Sequence, residues 1–332
     1  MKAKETPSLL TSAGSRAAII LAGGDGMRLR PLTRFISGKD IPKQFCVLDG
    51  KRTLLEETRA RVWRNIAIEN TLVVVNREHE PFYESLLDDL PASNLVVQPS
   101  NRGTAVGIMY GLARLCRRSP ESAVTIFPSD HFVADDEPFM RHIEVCMDAV
   151  EARPELTVIL GIEPNCAETS YGWIESAEQL DDTAEAPLLR VARFWEKPCR
   201  ALAEKLWSRG CLWNSFVITA RADVLMAMLA RHMPTHHAVL RELARLSGGY
   251  EELAAELAYR DMECVGFSEA ILSRVPRNLV VRPVADVGWS DLGEPRRVIE
   301  MLTAVGRKPA WAELAREQQM PWACEQSMIT PE

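Results

Sequence analysis

The segment Ala17-Ala18-Ile19-Ile20-Leu21-Ala22-Gly23-Gly24-Asp25-Gly26-Met27-Arg28-Leu29 constrains this chain most. An apolar run ends in a cluster of glycines, and an arginine follows two residues after the last of them. Such a run reads as a strand, and glycines at its end let the backbone approach phosphate with no side chain in the way. Arg28, together with Lys43 in the later Ile41-Pro42-Lys43-Gln44-Phe45, would add cationic donors suited to a polyphosphate. The segment therefore reads as a nucleoside triphosphate site. Taken alone, a glycine cluster is more often an ordinary strand-to-helix turn, so the rest of the chain must carry the case.

Two common phosphate loops are excluded. The dinucleotide fingerprint G-x-G-x-x-G fails because Leu29 stands at its third glycine position. The P-loop G-x-x-x-x-G-K-[ST] fails around Gly38-Lys39, where Thr33 replaces the first glycine and Asp40 follows the lysine.

With 332 residues, the chain is long enough for one large or two modest domains. Its net charge of -7 argues against a nucleic-acid partner held by bulk electrostatics, so a phosphate ligand must be captured by local basic groups. The cysteines (46, 116, 146, 166, 199, 211, 264 and 324) form no C-x-x-C pair and no zinc spacing, and read as buried free thiols. Residues 1–16 are polar and lack a signal-peptide core, and no apolar run approaches membrane-spanning length. A reducing cytoplasm is the expected compartment, with no membrane partner; a homo-oligomer stays open.

Apolar, β-branched runs recur at Ala17–Ala22, Thr71–Val75, Asn94–Val97, Ala123–Phe127 and Thr157–Leu160. Helical patterns such as Leu54–Asn65 and Thr104–Arg118 alternate with them, which predicts an α/β fold with a mostly parallel central sheet and helices on both faces. Strands are expected again at Tyr171–Ser176, Leu189–Trp195, Leu212–Thr219 and Asn278–Pro283, and helices over Ala222–His232 and His237–Tyr259. These suggest a second lobe, about 165–285, inserted in a domain spanning 17–293, with a helical tail over 294–332. Ligands of such sheets bind beyond the carboxyl ends of the strands, so Gly23–Arg28 and Pro128–His131 can face one crevice.

Asp130, just past a strand in Phe127-Pro128-Ser129-Asp130-His131, could hold a divalent cation against bound phosphates. A capping aspartate is the plainer reading of that residue alone. Asp291, in Gly288-Trp289-Ser290-Asp291-Leu292-Gly293, could complete the site, since magnesium typically takes only one or two protein carboxylates. In Glu196-Lys197-Pro198, Lys197 could neutralise a phosphate and Glu196 accept from sugar hydroxyls, although a solvated pair is the plain alternative. His131 ranks low as an acid or base, because a phosphate oxygen nucleophile needs no proton carrier.

Taken in order, these segments resemble the sugar-phosphate nucleotidyltransferases, and within them the mannose-1-phosphate guanylyltransferases. The likeness runs from about Arg16 to Gly293 and includes Asn101-Arg102-Gly103-Thr104-Ala105, Tyr171-Gly172 and Trp213-Asn214-Ser215. It implies a Rossmann-like nucleotidyltransferase fold with an inserted sugar-binding lobe. By position, Arg28 and Lys43 would contact the triphosphate beside Leu21, Gly23, Gly24 and Gly26. Gln98, Gly103 and Thr104 would lie near the base and ribose, and Asp130 and Asp291 would hold Mg2+. Gly172, Glu196, Lys197 and Asn214 would line the sugar-phosphate pocket, and Pro42-Lys43-Gln44-Phe45 points to GTP and mannose-1-phosphate as substrates. Another sugar phosphate and nucleotide, or a noncatalytic nucleotide-sugar sensor, are the alternatives. The chain departs from the pattern at Asp25 and Met27 in the glycine loop, at Arg102-Gly103, and at Phe216, where a glycine commonly follows Trp-Asn-Ser.

Overall fold

The computed structural model describes residues 15–180 and 187–322. Most of the polar segment expected at 1–16 lies outside the described residues, as do Cys324 and the end of the C-terminal tail. Arg16 already belongs to the first strand and pairs through its guanidinium with Glu151 at 2.8 Å.

The strands are β1 (Arg16–Leu21), β2 (Thr71–Asn76), β3 (Leu95–Gln98), β4 (Ala123–Pro128), β5 (Thr157–Ile162), β6 (Gly172–Gln179), β7 (Leu189–Glu196), β8 (Leu212–Arg221) and β9 (Leu279–Val284). They form one sheet in the order β3-β2-β1-β4-β8-β5-β9-β7-β6. Along β1, Ala17 and Ile19 enter one apolar cluster with Val74 and Tyr110, whereas Ala18 and Ile20 enter another with Val73, Val75 and Phe139. Side chains alternate across a strand, so an unbroken apolar run means both faces are covered. Helices Thr104–Cys116 and Ala222–His232 cover one face; Leu54–Val62 and Asp136–Ala152 cover the other.

Parallel pairing, expected for most of the sheet, holds through β3-β2-β1-β4 and for β5-β9. Elsewhere the sheet is mixed. β8 runs antiparallel between β4 and β5 and also pairs with β6, while β7 pairs antiparallel with β6 and β9. The expected second lobe thus continues the same sheet, and β8 stitches the halves together. The single helix expected over His237–Tyr259 is two, Pro234–Leu243 and Gly249–Arg260. Gly248 breaks it with φ +60°, in the left-handed region that glycine adopts without steric cost.

A third cluster joins Leu29, Leu32, Leu54, Phe132 and Leu292 to Val298 and Leu302 of helix Pro295–Ala304. It lies under the loops that follow β1, β4 and β9. Three cysteines expected to be buried, Cys166, Cys199 and Cys264, are exposed; Cys46, Cys146 and Cys211 are buried, and all are free. Among the described residues, no helix is long and apolar enough to cross a membrane.

Candidate functional site

The carboxyl ends of the four parallel strands β3-β2-β1-β4 converge on the glycine loop. Asn76 ends β2 and donates from Nδ2 to the Gly23 carbonyl at 2.6 Å; Gln98 ends β3 and donates from Nε2 to Asn76 Oδ1 at 3.1 Å. A Cβ at Gly23 would lie 3.1 Å from both amides, so a side chain there would have to push them back by a few tenths of an ångström. Gly26 takes φ +59° as the loop turns into Met27–Leu29. Gln44, itself buried, donates from Nε2 to the Ala22 carbonyl at 3.1 Å and the Gly24 carbonyl at 2.7 Å. Its amide straps the loop to the sheet.

Beyond β4 and β9, Asp130 and Asp291 meet at Lys43. The Phe132 N–H donates to the Ser290 carbonyl at 2.8 Å and the Ser290 N–H returns to Phe132 at 3.0 Å, tying the two loops together. The buried Lys43 ammonium lies 3.1 Å from Asp130 Oδ2 and donates to the Asp291 carbonyl oxygen. Lys43 therefore faces the aspartates. Asp291 Oδ1 accepts from the Tyr171 hydroxyl at 2.8 Å, Arg297 Nη1 at 2.7 Å and the Gly293 N–H at 2.8 Å. Its Oδ2 lies 3.7 Å from Arg28 Nη2, whose side chain is 57% exposed at the rim.

Burial opposes ionisation of Asp130, but Lys43 and then His131 outweigh it and hold the carboxyl below the usual range. Asp291 is held low in the same way, with Lys43, His131, the Tyr171 hydroxyl and Arg297 overcoming burial. His131 is pushed down, chiefly by burial, with Asp130 opposing. It packs edge-on against Trp289.

A cleft of about 250 Å³ opens above this pair. Leu21, Gly24, Gln44, Thr104, Asp130 and Asp291 line one side, and Gly172, Glu196, Asn214 and Phe216 the other. Gly172 is required by packing, since a Cβ there would lie 2.7 Å from Phe194 and 3.2 Å from Glu196 Oε2. Asn214 Oδ1 accepts from the Phe216 N–H at 3.0 Å. Phe216 has φ +61°, which accounts for glycine at the corresponding place in the pattern; here its ring packs against Phe267 instead.

The fold does not bring every expected residue into the cleft. Lys197 is 61% exposed, with Nζ 3.3 Å from Glu196 Oε1. Gln98 is buried behind the glycine loop, its Oε1 accepting from the Tyr259 hydroxyl at 3.3 Å. Gly103 has φ +86° and touches the Val265 backbone, 2.3 Å from where a Cβ would sit, so its turn is pinned to the segment Val265–Phe267.

Sequence reasoning left Asn76 and Arg297 without a role, and took Gln44 and Tyr171 only as members of motifs, Tyr171 in a segment suited to a polar sugar. Arg297 lies on helix Pro295–Ala304, donates to the Tyr171 hydroxyl at 2.6 Å and pairs with Glu168. Only the polar residues at the ends of apolar runs, Asn76 among them, carried a signal that could have found them.

The sequence pattern of the nucleotidyl transferase family matches residues 17–308, and the chain belongs to that family. Among named relatives, "Mannose-1-phosphate guanylyltransferase 2" of Escherichia coli O157:H7 is 30% identical over 288 residues, 83% of this chain and 58% of that protein. "Alginate biosynthesis protein AlgA" of Pseudomonas putida is 28% identical over 292 residues, covering 83% and 56%. The chain thus spans little more than half the length of these curated relatives. A solved structure from Thermus thermophilus, described as a "mannose-1-phosphate geranyltransferase", has a TM-score of 0.71 at 29% identity, covering 86% of this chain and 79% of that one. A UDP-glucose pyrophosphorylase shares the fold at 13% identity with a TM-score of 0.56.

Proposed function

We propose that the chain transfers a guanylyl group from GTP to mannose-1-phosphate, forming a nucleotide-sugar and releasing pyrophosphate. One observation carries the reading: Asp130 and Asp291 meet at Lys43 between a strapped glycine loop and the wall of Gly172, Glu196 and Asn214. The base and sugar assignments rest on the relatives' names and on Pro42-Lys43-Gln44-Phe45.

An oxygen of the sugar phosphate attacks the α-phosphorus in line, and the bond from that phosphorus to the bridging oxygen of the β-phosphate breaks. The nucleophile is already anionic, so the step asks no proton transfer of His131. Holding two anions together is the main task, and fixed cationic donors perform it best where water is excluded. Arg28 at the rim would meet the triphosphate; Lys43 would hold the aspartates in register. Asp130 and Asp291 offer hard oxygen donors, and Asp291 Oδ2 makes no hydrogen bond among the described residues, which would suit Mg2+. Magnesium held there would supply charge screening between the reactants. Glu196 and Asn214 would accept and donate to sugar hydroxyls, while Thr104 and the turn at Gly103 would face the nucleoside.

Pyrophosphate release across GTP, ATP, UTP and dTTP, each with mannose-1-phosphate and glucose-1-phosphate, tests the assignment. GTP should give the highest kcat/KM, with a smaller preference for mannose over glucose. Equal or better use of dTTP or UTP would remove the guanylyl assignment and leave the reaction class standing.

A further inference from the structure

We propose that Asp25, Glu78 and His79 form a second cation site that takes a divalent first-row transition metal such as Mn2+. One ligand atom from each lies within 4.8 Å of the others. His79 Nε2 is 3.6 Å from Asp25 Oδ1 and 3.9 Å from Glu78 Oε1. These separations are too long for hydrogen bonds. Two ligands each about 2.1 Å from a shared ion stand roughly 3.0–3.4 Å apart, so closure asks for movements of about an ångström or less. Glu78, with a side chain 60% exposed, is free to make them.

The second observation is a buried histidine aimed into the cluster without a partner. His79 is 4% exposed, and its Nδ1 has no hydrogen bond. The nitrogen that faces the carboxylates is Nε2, which makes no hydrogen bond among the described residues; Asp25 Oδ1 opposite it is buried and unpaired, whereas Asp25 Oδ2 accepts from Asn101 Nδ2 at 2.9 Å. Buried polar groups are rarely left unsatisfied, and the orphaned Asp25 Oδ1 opposite a buried Nε2 without a hydrogen bond leaves a place for a cation. Phe45 packs edge-on against the imidazole and fixes its direction. An imidazole with carboxylates selects Mn2+, Fe2+ or Zn2+ over Mg2+, which prefers oxygen alone. The site shares no residue with the Asp130–Asp291 pair and uses Asp25, one of the two residues by which the glycine loop departs from the family pattern. Under the proposed reaction the ion would offset the Asp25 charge beside the triphosphate; its binding does not depend on that reading.

The test is Mn2+ titration of the EDTA-treated full chain in excess Mg2+, followed by electron paramagnetic resonance with spin-echo detection of ligand nitrogen. We expect bound Mn2+ with an imidazole nitrogen signal that disappears in His79→Gln and persists in Asp130→Asn. Asp25→Ser should weaken binding by about tenfold or more, as loss of groups around a metal does. Should His79→Gln fail to fold, Asp25→Ser with a native circular dichroism spectrum decides: weakened binding supports the site, and wild-type binding overturns it. Absence of the nitrogen signal, its survival in His79→Gln, or its loss only in Asp130→Asn would each overturn the proposal.

Discussion

Replacing Gln44 tests whether the glycine loop is held in shape by one buried amide. Its Nε2 faces two carbonyl oxygens, Ala22 at 3.1 Å and Gly24 at 2.7 Å, and its Oε1 has no partner. Each neutral hydrogen bond contributes about 0.5–1.5 kcal/mol, so Gln44→Leu should cost about 1–3 kcal/mol. The near-isosteric Gln44→Glu should cost more at pH 7, because an ionised carboxylate would point at two acceptors. Protonated, it could donate to one of them. Its folded-state pKa is therefore raised above the ordinary value of about 4.3, and each unit costs about 1.4 kcal/mol once the pH exceeds that folded value. A raised carboxyl pKa gives stability that is present at low pH and lost as the pH rises. The deficit of Gln44→Glu should thus shrink between pH 7 and pH 5, while that of Gln44→Leu stays level. Urea unfolding of both variants at the two pH values reads this out. Wild-type stability of Gln44→Glu at pH 7, or a deficit no smaller at pH 5, would refute the strap.

Two further outcomes follow from the site and the core. Asp130→Asn and Asp291→Asn should each nearly abolish turnover with native circular dichroism, and near wild-type turnover at limiting Mg2+ would remove that residue from the chemistry. Burial pushes the Cys46 thiol up to about 11 and those of Cys116 and Cys146 to about 12. At pH 8, iodoacetamide should therefore label exposed Cys199 and Cys264 faster than these three by about a hundredfold or more, as peptide mapping would show.

The strands were legible because each is an apolar run with turn signals at its ends, and even the sequence of β6 to β9 was readable. Their pairing direction was not. β8 reads like any buried strand, and only its tertiary neighbours make it antiparallel to both β4 and β5. The break at Gly248 was missed because apolar periodicity resumes beyond it. Asp130 and Asp291 were found as motif residues, and the fold brings both to Lys43. Gln44, Tyr171 and Arg297 act by reaching residues distant in the chain, Tyr171 to Asp291 being 120 positions, and no local pattern records such a contact. Asp25 looked anomalous in sequence for the same reason: its meaning depends on His79, which sits just beyond β2.

The central claim is that a sugar-phosphate oxygen attacks the α-phosphorus of a nucleoside triphosphate in this cleft. Mannose-1-phosphate carrying 18O at its three non-bridging phosphate oxygens, incubated with GTP and Mg2+, tests it most directly. The account predicts that mass spectrometry finds all three heavy atoms in the nucleotide-sugar and none in the pyrophosphate. Label in pyrophosphate, or no nucleotide-sugar from any nucleotide offered, would contradict it.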